Sequence, residues 1–105
     1  MPEKTSVAQA AAELTQPFTR VVLGQVDDYC VYLSRFKGTY IFHQHARDEL
    51  YLVLEGEICI DYPDGQSVLL RQNEALVAKA NQRHRSRSEK GALVLMFKAR
   101  DLFAE

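Results

Sequence analysis

Residues 38–49 decide the fold of this chain, and they read GTYIFHQHARDE. The chain has three histidines, and two of them, His43 and His45, lie in this stretch, followed by Glu49. On a β-strand, residues i and i+2 point to the same face, about 6.5–7 Å apart along the chain. A His-x-His pair on a strand can therefore direct two imidazoles at one point, and Glu49 has the parity to add an oxygen ligand. The stretch predicts a metal site on a β-scaffold.

The composition is that of an ordinary globular protein and excludes several classes of partner. Apolar residues make up 47 % of the 105 residues, charged residues 26 %, and the formal net charge is −1. Such a charge attracts the chain neither to nucleic acid nor to an anionic membrane. The N-terminus lacks the apolar core of a signal peptide, and no apolar run approaches the roughly 20 residues of a membrane span. We therefore expect a cytoplasmic protein with no nucleic-acid and no membrane partner.

The N-terminal segment, residues 1–17, is predicted to be helical, and residues 18–105 are predicted to form a β-barrel within one domain overall. Ser6 and Gln9 resemble a capping box, and Pro17 stops a helix. Four apolar residues between them have the i, i+3, i+4, i+7 spacing of a helical stripe: Val7, Ala10, Ala11 and Leu14.

After residue 17 the pattern changes to short runs rich in β-branched and aromatic residues, separated by turn residues. The predicted strands cover residues 18–26, 29–37, 40–45, 49–54, 58–62, 67–71, 75–78, 84–88 and 93–98. The best hairpin signal is Pro63-Asp64-Gly65. About eight to ten short strands with closely spaced turns are typical of an all-β sandwich or barrel.

The ligand-like residues also carry a family resemblance. The pattern Gly38-x4-His43-x-His45-x3-Glu49-x6-Gly56 resembles the first sequence motif of the cupin family. The family usually has five residues between the glycine and the first histidine, and the four found here resemble a variant of many small single-domain cupins.

Residues 73–88 align with the second cupin motif and place the third histidine, His84, at its ligand position. Glycines of the family pattern fall at Asn73 and Asn81, and its proline falls at Lys79. Asparagine tolerates the left-handed backbone conformation better than most residues, so both turns are expected to survive. Without the proline, the φ angle before His84 is not fixed.

The resemblance implies an antiparallel jelly-roll β-barrel with a metal ion inside it. It places His43, His45, Glu49 and His84 at the family's four ligand positions. Three imidazoles and one carboxylate suit a divalent transition metal, namely Fe, Mn, Ni, Cu or Zn, and they do not suit calcium. The alternative is a metal-free cupin in which the histidines are hydrogen-bonded to their neighbours.

Parity suggests further residues around such a site. Tyr51 shares a face with Glu49, so it is a candidate catalytic proton donor; the alternative is an aromatic side chain that only fills the barrel. Ile41 and Val53 are expected on the same face, where they would give a small-ligand pocket apolar walls.

Two surface features remain open at this point. Arg83, Arg85 and Arg87 alternate with His84 and are expected to point outward, either as a solvated face or as a subunit contact or anion site. Apolar residues near the helix form a strand whose edge is expected to be covered by a second copy of the chain, in a homodimer: Phe18, Val21, Val22 and Leu23.

The resemblance leaves two main functions open. The first is a metal-dependent enzyme that acts on a small organic substrate, of dioxygenase, isomerase, decarboxylase or lyase type. The second is a non-catalytic module that binds or senses a small ligand. Fold alone does not choose between them.

Overall fold

The structure, a computed structural model, describes residues 2–100 of the chain. These residues form one short helix and seven strands. The elements are α1 (Val7–Ala12), β1 (Arg20–Val26), β2 (Tyr29–Thr39), β3 (Glu49–Gly56), β4 (Ile58–Asp61), β5 (Ser67–Leu70), β6 (Ala75–Ala78) and β7 (Arg85–Ala99).

Strand β7 lies at the centre of the sheet. The strand order is β1-β2-β7-β3-β6, and β4 pairs with both β5 and β7. All of these pairings are antiparallel. The predicted all-β antiparallel fold with a short N-terminal helix is therefore confirmed.

The prediction of two separate strands at residues 84–88 and 93–98 was wrong. Both runs belong to β7, which continues through Gly91 at a φ of 101°. Glycine adopts this left-handed conformation without a Cβ clash, so the strand bends and continues. Residues 85–87 pair with β4, and residues 93–97 pair with β2 and β3. Seven strands thus replace the expected eight to ten.

The prediction of a strand at residues 40–45 was also wrong. This segment follows Gly38, which has a φ of 89°, and leaves the sheet. Its β-type pairing is a single bridge between His43 and His84. Only one residue pair in this connection therefore has ladder geometry.

Helix α1 is shorter than the predicted segment but has the expected cap. The Ser6 hydroxyl accepts a hydrogen bond from the Gln9 backbone N–H at 3.2 Å. The helix ends at Ala12, well before Pro17. Of the predicted stripe, Val7 is 40 % exposed and does not join the core.

Within residues 2–100, no helix is long and apolar enough to cross a membrane.

Two apolar clusters pack on opposite faces of the central strands. Helix α1 covers the smaller one, and a six-residue helix depends on such packing to form. Its buried members are Ala10, Ala11, Leu14, Leu33 and Leu93. The larger cluster fills the interior of the curved sheet and includes Tyr32, Phe36, Tyr51, Val53, Ile58, Ile60, Val94 and Met96.

Strand β1 is the edge strand at which the homodimer was predicted. Val22 and Val26 are each 55 % exposed there. The homodimer stays a prediction, and a monomeric mass in light scattering at micromolar concentration would refute it.

The bend of β7 passes close to the end of β3. A Cβ built on Gly56 would lie 2.5 Å from the Gly91 carbonyl oxygen and 3.1 Å from the Ala92 Cα. Gly56 also has a φ of 79°. Both observations require glycine at this position, because a side chain would meet backbone atoms in an unfavourable conformation.

We expect Gly56→Ala to lower the free energy of unfolding by about 2–4 kcal/mol, because it adds a steric clash to left-handed strain. Gly65→Ala is the matched control, since Gly65 has a φ of 90° and no atom within 4 Å of its built Cβ. The control should lose only about 1–2 kcal/mol. Urea unfolding followed by circular dichroism measures both, and equal losses would contradict the role of close approach.

Candidate metal centre

The three histidines and Glu49 come together inside the sheet. His43 and His45 lie on the connection between β2 and β3, Glu49 is the first residue of β3, and His84 directly precedes β7. All four side chains are buried, and one potential ligand atom from each lies within 4.8 Å of the others. Ligands on opposite sides of one ion are separated by up to about 4.3 Å, so the cluster is near the size that an ion requires.

Backbone hydrogen bonds hold the two ligand segments together. The N–H of His43 donates to the carbonyl of His84, and the N–H of His84 donates to the carbonyl of His43, each at 2.9 Å. The Asn81 N–H donates to the His45 carbonyl at 2.7 Å. The irregular connection is therefore fixed at both histidines.

The turn before His84 forms although this chain lacks the proline and the glycines of the second motif that residues 73–88 resemble. Asn73 and Asn81 have φ angles of 68° and 63°, as expected for asparagine in place of glycine. Lys79 donates to the Asp48 carboxylate at 3.0 Å, and the Ala80 N–H donates to its other oxygen at 2.8 Å. Because Asp48 precedes Glu49, this contact ties the turn to the start of β3.

Hydrogen bonds fix the tautomers of two of the histidines. Nδ1 of His43 lies 2.9 Å from the Ile41 carbonyl, and Nδ1 of His84 lies 2.8 Å from the Gln82 carbonyl. A carbonyl can only accept, so Nδ1 carries the proton and Nε2 keeps its lone pair. Burial lowers the pKa of His43 despite the opposing bond to Ile41. Burial therefore favours the neutral imidazole of His43, the form that binds metals.

The centre of the cluster contains buried polar atoms that make no hydrogen bond within residues 2–100. Both ring nitrogens of His45 and Oε1 of Glu49 are buried and make no hydrogen bond to any described residue. The Glu49 Oε1 atom lies 3.4 Å from His45 Nε2 and 3.8 Å from His84 Nε2. Burial opposes ionisation of Glu49, but these imidazoles and the Lys98 ammonium lower its pKa, so it carries a negative charge. A cation would satisfy these atoms, and the N₃O donor set fits a divalent transition metal.

A family model described as a cupin domain matches residues 37–97. The chain belongs to the cupin family. The Bacillus subtilis (strain 168) protein YdbB, described as uncharacterized, is 35 % identical over 89 residues, which are 84 % of this cupin and 79 % of YdbB.

Solved structures confirm the cupin barrel. A cupin-2 domain protein from Shewanella frigidimarina superposes with a TM-score of 0.86 at 23 % identity, over 90 % of this chain and 93 % of that one. Hydroquinone 1,2-dioxygenase PnpCD, in complex with Cd²⁺ and 4-hydroxybenzonitrile, superposes with a TM-score of 0.75 at 19 % identity. The match covers 94 % of this chain and 83 % of PnpCD. At these identities the similarity shows the fold.

In this cupin, Tyr51 lies beside the cluster, on the face that parity predicted. Its hydroxyl is 3.2 Å from Nε2 of His84. Because that nitrogen carries no proton, Tyr51 is the donor. Burial and the Glu49 charge raise the pKa of Tyr51. The phenol therefore stays protonated at neutral pH and keeps an O–H that it can donate.

A cavity of about 480 Å³ opens onto the cluster, but its apolar walls are not the predicted ones. Ile41 is 66 % exposed, because the connection after Gly38 leaves the sheet and parity no longer applies. Val53 is buried in the core and does not line the cavity. The apolar and aromatic lining instead consists of Phe18, Phe36, Tyr40, Tyr51 and Met96.

Sequence reasoning missed two cations that line the same cavity, Arg20 and Lys98. Nζ of Lys98 lies 3.5 Å from Oε2 of Glu49. Burial lowers the pKa of Lys98, and the Glu49 carboxylate opposes this shift. The alternation of Val94, Met96 and Lys98 on β7 was a usable signal, since all three lie on the inward face.

The arginines that follow His84 are not a purely solvated face. Nε of Arg85 and Nε of Arg87 donate to the same Asp61 oxygen at 2.9 and 2.8 Å. Ser67 donates to the other oxygen of Asp61. Arg83 is placed elsewhere, with Nη2 3.4 Å from the carbonyl of residue 42. The Asp61 cluster therefore ties the β4–β5 hairpin to β7, while a subunit contact at this face stays a prediction.

We expect Asp61→Asn to lower the free energy of unfolding at neutral pH by about 1–2 kcal/mol, discounted because both arginine side chains are more than one third exposed. Burial opposes ionisation of Asp61, but Arg87, Ser67 and Arg85 lower its pKa to about 2. A lowered folded-state pKa stabilises the fold above the ordinary value of 3.8, and this contribution is lost as the pH falls through about 2.

Urea unfolding of wild type and Asp61→Asn between pH 7 and about pH 2 checks this linkage. The difference between the two proteins should shrink below about pH 4. Glu57→Gln, an exposed carboxylate without an ion pair among the described residues, is the control and should change little at any pH. An Asp61→Asn cost that is the same at both ends of the range would contradict the ion-pair account.

Proposed function

We propose that this cupin is a metal-dependent enzyme that binds one divalent transition metal ion and acts on a small organic substrate. The proposed ligands are His43, His45, Glu49 and His84. The observation that carries the proposal is the set of buried, unpartnered atoms of His45 and Glu49 beside a cavity. Leaving such atoms without a partner costs about 1–3 kcal/mol each, and a bound cation removes that cost.

Three of the four proposed ligands, His43, His84 and Glu49, have a neighbouring group that favours the metal-binding form. The Ile41 and Gln82 carbonyls hold the Nδ1 protons of His43 and His84, which leaves Nε2 as the ligand atom. The Lys98 ammonium lies beside Oε2 of Glu49 and favours its ionised form. A divalent ion held in this way would act as a Lewis acid toward an oxygen atom of the substrate. The donor set suits Fe, Mn, Ni, Cu and Zn alike.

Tyr51 is the proposed catalytic residue. Its hydroxyl points at the ligand cluster, its ring packs edge-on against Phe36 at 6.1 Å, and it lines the cavity. A buried phenol held in one orientation can donate a hydrogen bond or a proton to a substrate oxygen.

The reaction class is proposed within the set that the resemblance implied: dioxygenase, isomerase, decarboxylase or lyase. The fold is shared with PnpCD, a dioxygenase whose structure holds a metal ion and a phenolic molecule. A cavity of about 480 Å³ is large enough for a molecule of that size. Phenols are therefore the first substrates to test, followed by keto acids and thiols. The alternative is a non-catalytic module that binds or senses a small ligand in the same cavity.

We expect the purified wild-type protein to bind about one divalent metal ion per chain in elemental analysis. His45→Ala and His84→Ala each remove one imidazole and should weaken binding by at least about a hundred-fold. Gln44→Ala lies between two proposed ligands in sequence and is the control, which should bind as wild type does. Full stoichiometry retained in His84→Ala would contradict the four-ligand assignment.

We expect metal-loaded protein to turn over at least one member of a panel of phenols, keto acids and thiols. Turnover is measured as O₂ uptake and as product formation. Tyr51→Phe should then reduce turnover by roughly a hundred-fold or more while metal content is unchanged, because only the proton donor is removed. Tyr62→Phe, which does not line the cavity, is the matched control. Stoichiometric ligand binding without turnover would favour the binding module instead.

A further inference from the structure

We propose that the cavity beside the metal centre selects a small carboxylate with an aromatic or apolar body, and that Lys98 and Arg20 bind its carboxylate group. The proposal rests on the proposed function and adds the chemical class of the substrate. Its two cations come from different strands, β7 and β1.

Lys98 is a buried cation with an incomplete set of partners. Its residue is 9 % exposed, and its nearest carboxylate among the described residues is Oε2 of Glu49, at 3.5 Å. Its ammonium also lies 5.7 Å from the centre of the Tyr32 ring. An ammonium has three N–H donors, so the long contact with Glu49 and this cation–π contact leave donor capacity unused. A metal ion bound to Glu49 would also share the charge of that carboxylate, which leaves Lys98 with less compensation.

Arg20 is the second cation of the cavity. Its guanidinium carbon lies 4.3 Å from the centre of the Tyr32 ring, a cation–π contact that holds the side chain in place. Within residues 2–100 no carboxylate lies within 4.0 Å of it. Arg20 pairs with Ser34 across β1 and β2, and both residues line the cavity. Its planar fork of N–H donors matches a carboxylate.

The charge of the cavity favours an anion. The two cations face one carboxylate, Glu49, so the lining has an excess of positive charge that a divalent ion would increase. A carboxylate ligand compensates this excess, whereas a neutral ligand of the same shape leaves it uncompensated.

The other residues that line the cavity indicate that the rest of the ligand is apolar or aromatic. Phe18 is in contact with Phe36 and Tyr40, with ring centroids 5.1 and 5.0 Å apart. Met96 also lines the cavity. Aromatic rings and a thioether pack well against another flat ring. The lining thus combines apolar side chains with two cations, as expected for an amphipathic anion.

A role of Lys98 in positioning Glu49 does not by itself explain why two cations line the cavity. Arg20 makes no described contact with Glu49, yet it lines the same cavity without a carboxylate partner. Arg20 therefore provides the variant that tests anion recognition without disturbing the proposed ligands.

The test uses zinc-loaded protein and two probes of nearly the same shape, benzoate and benzamide, in isothermal titration calorimetry. We expect wild type to bind benzoate at least about ten-fold more tightly than benzamide. Arg20→Gln and Lys98→Met should each weaken benzoate binding by roughly ten- to a hundred-fold and change benzamide binding by less than about three-fold. The controls Arg71→Gln and Lys90→Met remove exposed cations outside this cavity and should match wild type.

Zinc content, measured on every sample, separates this inference from the proposed function. Equal affinities for the two probes, no detectable benzoate binding, or unchanged benzoate binding by Arg20→Gln with zinc retained would each overturn the inference. If wild type takes up no zinc but still prefers benzoate to benzamide, the anion site is supported and zinc binding at the proposed ligands is refuted.

Discussion

The candidate metal centre depends on the reciprocal hydrogen bonds between the backbones of His43 and His84. This one residue pair joins the irregular connection after β2 to the start of β7, and each of its two bonds is 2.9 Å long. It sets the distance between ligand segments that are far apart in sequence. The Asp48 contacts with Lys79 and Ala80 then fix the turn that precedes His84. Backbone hydrogen bonds and a surface ion pair thus hold the ligand geometry, while both ring nitrogens of His45 and Oε1 of Glu49 keep no hydrogen-bond partner among the described residues.

Much of the fold and of the site could be predicted from local pattern. The spacing of His43, His45 and Glu49, with His84 downstream, predicted which side chains meet, and their burial together agrees with it. The same pattern wrongly predicted a strand at residues 40–45. Only His43 forms a β-bridge there, with His84, and a single bridge is enough to direct its side chain inward. The strand count was wrong at Gly91, because the sequence alone does not show whether a glycine bends a strand or ends it.

The rest required tertiary information. Nothing local to Arg20 indicates that it pairs with Ser34 and faces the cavity, because that register depends on the bulge-containing β1–β2 ladder. Asp61 lies on the strand predicted at residues 58–62, but its two arginine partners come from β7, across a long separation in sequence. Side chains that act across strands are defined by register, and register is set by the whole sheet.

The position of Tyr51 would couple metal binding at the proposed site to the availability of the Tyr51 hydroxyl. In this structure the phenol donates to Nε2 of His84, and the carbonyl of Gln82 already holds the Nδ1 proton of that ring. Nε2 has one lone pair, so it cannot accept from Tyr51 and bind a metal ion at the same time. Under the proposed ligand set, a metal ion held by Nε2 of His84 would therefore leave the Tyr51 hydroxyl without this acceptor. A released Tyr51 hydroxyl that still carries its proton would need a new acceptor. The cavity that it lines is where a substrate oxygen would provide one.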